Sequence, residues 1–265
     1  MASFTPFDIY KILPKTNCRI CRLPSCLAFA AAVVSGERNL RDCPDVDPQL
    51  AKKYDNVSVG ELPYEQMGWD AYEKISGEVA SVDLAGRAER LGGVWRGKDL
   101  EIQCLGKSFA VNQQGKVLSQ CHVIPWVTVP LLEYVLHGQG KDPIGKWVSL
   151  RELSNGKTWY PLFRRRCEQP LARLADDHPE LFEDLVGLFG AAQTQSKFDS
   201  DIALILHPLP KLPVLICYWH SEDDLSSKLS LYFDQSADKN LSVESIHNLC
   251  VGLATMFEKI VQRHV

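Results

Sequence analysis

The 265-residue sequence has no apolar run approaching the ~18 residues that a membrane-spanning helix needs, and no basic-then-apolar leader ahead of its first motif. Both absences lead us to expect a cytoplasmic chain with no membrane role. Charge of either sign is not in excess: 29 Lys and Arg stand against 33 Asp and Glu, for a net −4. A general nucleic-acid binder needs a basic surplus to meet phosphates, so that class is excluded. There is no phosphate-cradling P-loop, and Gly138-Gln139-Gly140 lacks the third glycine of a dinucleotide fingerprint. No internal repeat or low-complexity tract is present.

Cysteine, by contrast, is plentiful at nine residues. In a secreted protein that number would suggest disulfides; without a leader, a reduced and anaerobic cytoplasm fits better. Four of the nine are grouped. Cys18, Cys21 and Cys26 share one loop, and Cys43 follows alone with Pro44 behind it. Intervals of two, four and sixteen residues let four thiolates converge on one inorganic centre. Thiolate is a soft ligand, so the candidates are an iron–sulfur cluster, zinc or copper(I). Zinc sites usually join two short Cys pairs. Three ligands in one loop plus a distant Cys-Pro is instead how many ferredoxin-like clusters are held, and we favour a [4Fe–4S] cluster. The alternatives are zinc and four unrelated buried cysteines. Ser25 can cap a short helix carrying Leu27, Ala30, Ala31 and Val34, which Gly36 can end. Cys26 then sits in the first turn, where amide groups and the positive dipole end face an anionic group.

Leu13-Pro14-Lys15-Thr16-Asn17-Cys18, Cys21, Pro24-Ser25-Cys26-Leu27-Ala28-Phe29-Ala30 and Cys43-Pro44 resemble a known four-iron–four-sulfur domain. That domain occurs in the large subunit of the corrinoid iron–sulfur protein of anaerobic acetyl-CoA metabolism. A related version occurs in the B subunit of ion-pumping ferredoxin–NAD oxidoreductases. The resemblance covers roughly residues 7–45 and implies Cys18, Cys21, Cys26 and Cys43 as cluster ligands. It departs at two positions: the family usually has glycine after each of the first two cysteines, where this chain has Arg19 and Arg22. Two cations there should favour the reduced, more negative cluster or offer an acidic partner a docking surface. The plainer reading is that both side chains point into water.

At 45% hydrophobic and 23% charged residues, the chain is globular and long enough for a small cluster module plus one ordinary domain. We expect an α+β protein: a cluster module over 1–60, then a mixed helix and mainly antiparallel-sheet domain over 65–265. The turn-rich stretch at 56–66 marks the boundary; its Asn56-Val57-Ser58 matches a glycosylation acceptor that a cytoplasmic chain would not use. Periodicity predicts helices over 65–91 and 127–137, within 168–190, and from Ser242 onward. The last has the stripe Ile246, Leu249, Cys250, Leu253, Phe257 and Ile260. Strands are expected at 99–105, 107–112 and 116–120, with Asn112–Gly115 as a hairpin turn, and at 201–207, 213–220 and 228–234. Trp147–Leu153 reads equally as a strand or a helix start. The strands at 201–207 and 213–220 are continuously apolar, as for central strands; the one at 228–234 alternates, as for a half-exposed one. Short connections force antiparallel pairing.

Gly145-Lys146-Trp147-Val148, the Leu209–Pro213 turn, Trp219 with Asp223-Asp224, and Phe233-Asp234 resemble a domain family of unknown function found with such cluster modules in anaerobic prokaryotes. That resemblance implies a shared fold and association with cluster chemistry, and no catalytic residues. The other candidates are weak. His220–Asp224 is an acidic turn that could bind a cation or simply be solvated. Cys121-His122 is too small a set for a metal. Arg164-Arg165-Arg166 could grip anions or form a solvated face. Trp126, Trp147, Trp159 and Trp219 could line a flat cofactor pocket or pack the core. Cys104, Cys121, Cys167, Cys217 and Cys250 read as small buried residues.

Two function classes follow. One is a redox protein passing single low-potential electrons to a partner protein or cofactor, with corrinoid activation as a specific version. The chain lacks the Asp-x-His-x-x-Gly signature of many cobalamin modules, so a corrinoid would sit on a partner or bind here in an unfamiliar way. The other is a non-catalytic regulatory or scaffold protein with a structural or oxygen-sensing cluster. The sequence sets no oligomeric state.

Overall fold

The structure is a computed structural model that describes residues 6–34, 38–47, 50–51, 63–121, 123–195, 198–222 and 225–264. It divides into two compact units, Met1–Asp70 and Ala71–Val265. Gly36, the tripeptide Asn56-Val57-Ser58, His122 and Asp223-Asp224 lie outside the described residues.

The first unit is built on two short helices, α1 (Pro6–Ile12) and α2 (Cys26–Val34), joined by an irregular loop. Ser25 caps α2 as its sequence suggests: its Oγ accepts from the Ala28 N–H at 3.1 Å. A 3₁₀ turn at Leu40–Asp42 follows, closed by reciprocal bonds between Asn39 and Asp42. Ile9, Leu13, Phe29, Ala30, Val34, Leu40 and Val46 form the core, and Cys26 and Cys43 are buried within it.

In the second unit the helix expected over 65–91 is two helices. The first, α3 (Pro63–Val79), crosses the division between the units; α4 (Leu84–Arg87) restarts because the Asp83 carboxylate accepts from the Gly86 N–H at 3.1 Å. An antiparallel meander follows: β1 (Val94–Trp95), β2 (Asp99–Cys104), β3 (Lys107–Asn112) and β4 (Val117–Ser119). Leu100 opposite Val111 and Ile102 opposite Phe109 put four buried side chains on one face. The Asn112–Gly115 turn forms as expected. The Asn112 side chain accepts from the Gln114 and Lys116 N–H groups, and Gly115 has φ +72° against the Ser76 carbonyl, which leaves no room for a side chain.

The second sheet has the order β5-β9-β8-β7-β6, all antiparallel: β5 (Trp147–Ser149), β6 (Ala192–Gln193), β7 (Ile202–Leu209), β8 (Leu212–Trp219) and β9 (Lys228–Asp234). Trp147–Leu153 is both of its readings in turn, a strand and then a 3₁₀ turn at Leu150–Glu152. β9 departs from the half-exposed strand that its alternation suggests. Only Lys228 is exposed, because β9 lies inside the sheet between β8 and β5 and its polar residues have partners.

Helix α5 (Pro125–His137) begins with proline at its first position, where no N–H is needed. Ahead of the helix expected within 168–190, α6 (Gly156–Phe163) runs into a π-helical stretch at Arg164–Glu168. It continues as α7 (Gln169–Asp177) and, after a break, α8 (Leu181–Phe189). The break falls at His178-Pro179, since the residue before proline is pushed out of helical backbone. After the short α9 (Ala237–Asn240), α10 (Val243–His264) packs on α5 and α6. Its expected stripe is buried through Phe257; at the far end Val261 takes the buried place and Ile260 is half-exposed. Among the described residues no helix is long and apolar enough to cross a membrane.

Candidate metal centre

The loop from Leu13 to Ser25 holds its shape through left-handed backbone. Lys15, Asn17, Arg19 and Arg22 have φ of +60°, +52°, +62° and +62°. Asparagine tolerates this region; lysine and arginine rarely adopt it, at a cost on the order of 1 kcal/mol each. Arg19 and Arg22 occupy the two positions where the resembled family usually has glycine. The geometry gives the reason for that glycine, since the chain turns left-handed immediately after Cys18 and again after Cys21. A tight turn between them is closed by the Arg22 N–H on the Arg19 carbonyl at 2.8 Å.

Asn17, which sequence reasoning passed over, locks this loop onto α2. Its Oδ1 accepts from the Cys26 N–H at 2.8 Å, and its own N–H points at Cys26 Sγ at 3.3 Å. The signal was readable as an asparagine just before a Cys-rich turn, a residue that visits left-handed backbone and caps local amides. An amide N–H donated to sulfur stabilises thiolate, and such bonds also tune iron–sulfur potentials.

The four cysteines descend in exposure from Cys18 (exposed) through Cys21 (half-buried) to Cys26 and Cys43 (buried). Cys21 packs against the cluster of buried residues that contains Cys26 and Cys43. Burial pushes the Cys43 thiol up, and the charges of Asp45, Cys21 and Cys26 add to that, while an N–H from Asp45 opposes it. Thiolates near enough to repel one another are what a cationic centre would relieve. Among the described residues, no group of three or more His, Cys, Asp or Glu is placed to hold a single metal ion. A cubane spreads its ligands over four irons and asks for a wider arrangement than one ion does. The donor set, its local repulsion and its N–H···S bond fit an iron–sulfur group.

The other sequence candidates do not converge on a centre. Trp126 lies over Gly252, and Trp159 faces His247 at 5.1 Å. Only Trp147 and Trp219 share a surface, packed with Phe198 and Tyr232 over Ala203, Leu215 and Cys217. Arg164, Arg165 and Arg166 are exposed. Gly138 and Gly140 are structural: the first ends α5, and the second accepts from Lys211 Nζ at 2.9 Å. Cys104, Cys167, Cys217 and Cys250 are buried as expected, whereas Cys121 is exposed, because β4 ends before it and the chain bends outward.

His220 and Ser221 line a cavity of about 370 Å³ with Asp176, Phe182, Ile202 and Tyr218. The Asp176 carboxylate accepts from Tyr218 at 2.5 Å and from Ser227 at 2.6 Å. Burial, and then the bond to Asp176, pushes the Tyr218 hydroxyl up to about 12. Sequence reasoning also missed Glu168, which is buried on the π-helical segment. It accepts from the Leu231 N–H at 3.0 Å, and burial raises its pKa.

Two of the segments by which the second unit resembles its family, Gly145–Val148 and Phe233-Asp234, meet in the fold. The Asp234 carboxylate accepts from the Ile144 and Gly145 N–H groups at 3.0 and 2.7 Å, and from the Ser236 N–H and hydroxyl at 2.9 and 2.7 Å. These bonds splice the start of β5 to the end of β9.

Fold and site together define an α+β protein with an iron–sulfur segment at its front. Residues 13–44 match the family described as "Putative Fe-S cluster". Residues 83–256 match the family described as "Domain of unknown function (DUF3786)", and the chain belongs to that family. The acetyl-CoA decarbonylase/synthase complex subunit gamma of Methanothermobacter thermautotrophicus is 42% identical over 53 residues, covering 20% of this chain and 12% of that one. The subunit of the same name from Methanocaldococcus jannaschii is 54% identical over 37 residues, 14% and 8% of the two chains. The corrinoid/iron-sulfur protein large subunit of Moorella thermoacetica is 45% identical over 51 residues, 19% and 11%. The chain thus spans about a tenth of the length of these curated relatives. No solved structure matches it.

Proposed function

We propose that Cys18, Cys21, Cys26 and Cys43 hold a [4Fe–4S] cluster through which this protein exchanges single low-potential electrons with a partner protein or cofactor in corrinoid-linked one-carbon metabolism. The observation that carries this reading is the cysteine loop: four thiols of graded burial, one receiving an N–H from Asn17, in a segment of iron–sulfur type. When bound, such a group supplies reversible one-electron chemistry.

The chain's own residues account for the rest. Cys26 and Cys43 anchor the inner side among Phe29, Leu40 and Val46, which keep water away and so favour the less charged oxidation state. Cys18 and the half-buried Cys21 leave the outer side near solvent, where a partner can approach. The division we infer is a cluster module at residues 1–60 and a separate α+β domain at 65–265. The relatives named for acetyl-CoA decarbonylase/synthase and for corrinoid chemistry support that metabolic setting, with any corrinoid on a partner chain. The test is a reductive titration of anaerobically prepared protein followed by electron paramagnetic resonance. A reversible one-electron wave at low potential is expected. A cluster that only falls apart on reduction would overturn electron transfer in favour of a structural or oxygen-sensing role.

A further inference from the structure

Residues 9–36 carry Lys11, Lys15, Arg19 and Arg22 and no acidic residue, inside a chain whose net charge is −4. Lys11 is paired with Asp8 at 3.1 Å. Lys15, Arg19 and Arg22 are exposed, and all three stand on left-handed backbone that their side chains disfavour. Between the two arginines Ile20 is 64% exposed, an unusual place for a large aliphatic side chain beside charge. The cysteine loop thus exposes three cations, a large aliphatic residue that lies between two of them in sequence, and Cys18. A position that turns left-handed would be served at lower cost by glycine or asparagine, and neither would bring charge. Cations kept there against backbone preference, on an otherwise acidic chain, indicate a surface selected for what it meets.

We propose that Lys15, Arg19, Ile20 and Arg22 form the docking face for an acidic one-electron carrier protein. This rests on the cluster reading above and adds the chemistry of the partner. The occupant is set by charge complementarity: three exposed cations with no carboxylate partner among the described residues, Lys15 lying over the Tyr10 ring, call for a carboxylate-rich patch, and Ile20 for a small apolar spot. A carrier seated there lies against the most solvent-near ligand. The whole chain's net charge makes the opposite choice, since −4 would attract a basic carrier.

Binding is the readout, because it does not depend on whether the cluster accepts electrons. The metal-loaded protein is titrated with an oxidised, acidic two-iron ferredoxin and separately with basic cytochrome c, at ~20 mM and ~300 mM salt. Ferredoxin is expected to bind at low salt and weaken at least tenfold at high salt, with cytochrome c the weaker ligand. Arg19→Gln with Arg22→Gln should cost about tenfold in ferredoxin affinity at low salt and flatten its salt dependence, with iron content unchanged. If that double variant loses iron, Lys15→Gln, which stands three residues from the nearest cysteine, and Ile20→Ser, which leaves both arginines in place, each decide the matter with a severalfold loss. Tighter binding of cytochrome c, or ferredoxin affinity unchanged in every variant, overturns the docking face. Failure of the reductive titration would instead overturn electron transfer and leave these affinities as they are.

Discussion

The two units use the same residue in opposite ways. In the first, Cys18, Cys21, Cys26 and Cys43 are graded from exposed to buried, and Cys18 and Cys21 adjoin left-handed backbone. In the second, Cys104, Cys167, Cys217 and Cys250 are each buried as small side chains, and burial raises the thiol pKa of Cys104, Cys167 and Cys250. The difference lies in what surrounds the sulfur. The first unit invests its irregular backbone in presenting thiols. The second spends its polar groups on holding strands and helices, with Asp234, Asn240 and Glu168 bonded to backbone.

The sharpest way to break the comparison is to remove one cysteine from each unit. Cys26→Ser should lose most of the iron, whereas Cys217→Ser should retain the parent's iron content to within about a tenth. Equal loss would mean general destabilisation was mistaken for ligation.

Next in size is the independence of the second unit, whose two sheets and helices bury a core of their own. Residues 63–265 expressed alone should give a soluble product with one cooperative thermal transition. An aggregated or non-cooperative product would make the cysteine unit integral to the fold.

Asp234 tests whether the second unit's motif is structural. Asp234→Asn removes the charge from four hydrogen bonds and should cost roughly 2 kcal/mol, a drop of about 4–8 °C in Tm. Burial alone would raise this carboxyl, but the bonds from Ser236, Ile144 and Gly145 outweigh it and the pKa is lowered. The folded state therefore holds the proton less tightly than the unfolded chain. Its stabilising contribution is complete above the unfolded value near 4 and is lost as pH falls through the depressed folded value. The variant should lack that portion of the acid loss.

Glu168 should behave in the opposite sense. Its pKa is raised by burial, so stability falls as pH rises from near 4 through the folded value. Glu168→Gln keeps an acceptor for the Leu231 N–H and should raise Tm by a few degrees at neutral pH and not at pH 4. The smallest effect belongs to the first unit: Arg19→Gly and Arg22→Gly should each stabilise the apo loop by under about 1 kcal/mol, as strain relief offsets added chain entropy. Denaturant titration of the apo protein checks it.

Much of this was legible in the sequence. Spacing singled out the cysteine loop that lies within the matched iron–sulfur segment, alternation and apolar runs located β2, β3, β7, β8 and β9 to within two residues, and the Ile246–Phe257 stripe identified α10. What was not legible depends on partners distant along the chain. The burial of β9 comes from its place between β8 and β5, which no local pattern states. The split of the helix at Asp83 is a cap competing with a continuous apolar period. Asn17 and the left-handed turns after Cys18 and Cys21 are backbone facts; the sequence showed only that arginine stands where glycine was expected.

The central claim is tested most directly by the metal and sulfide content of the protein purified without oxygen. The account predicts about four irons and about four acid-labile sulfides per chain, lost together in Cys26→Ser. One zinc per chain with no iron or sulfide, after the same handling, would contradict it.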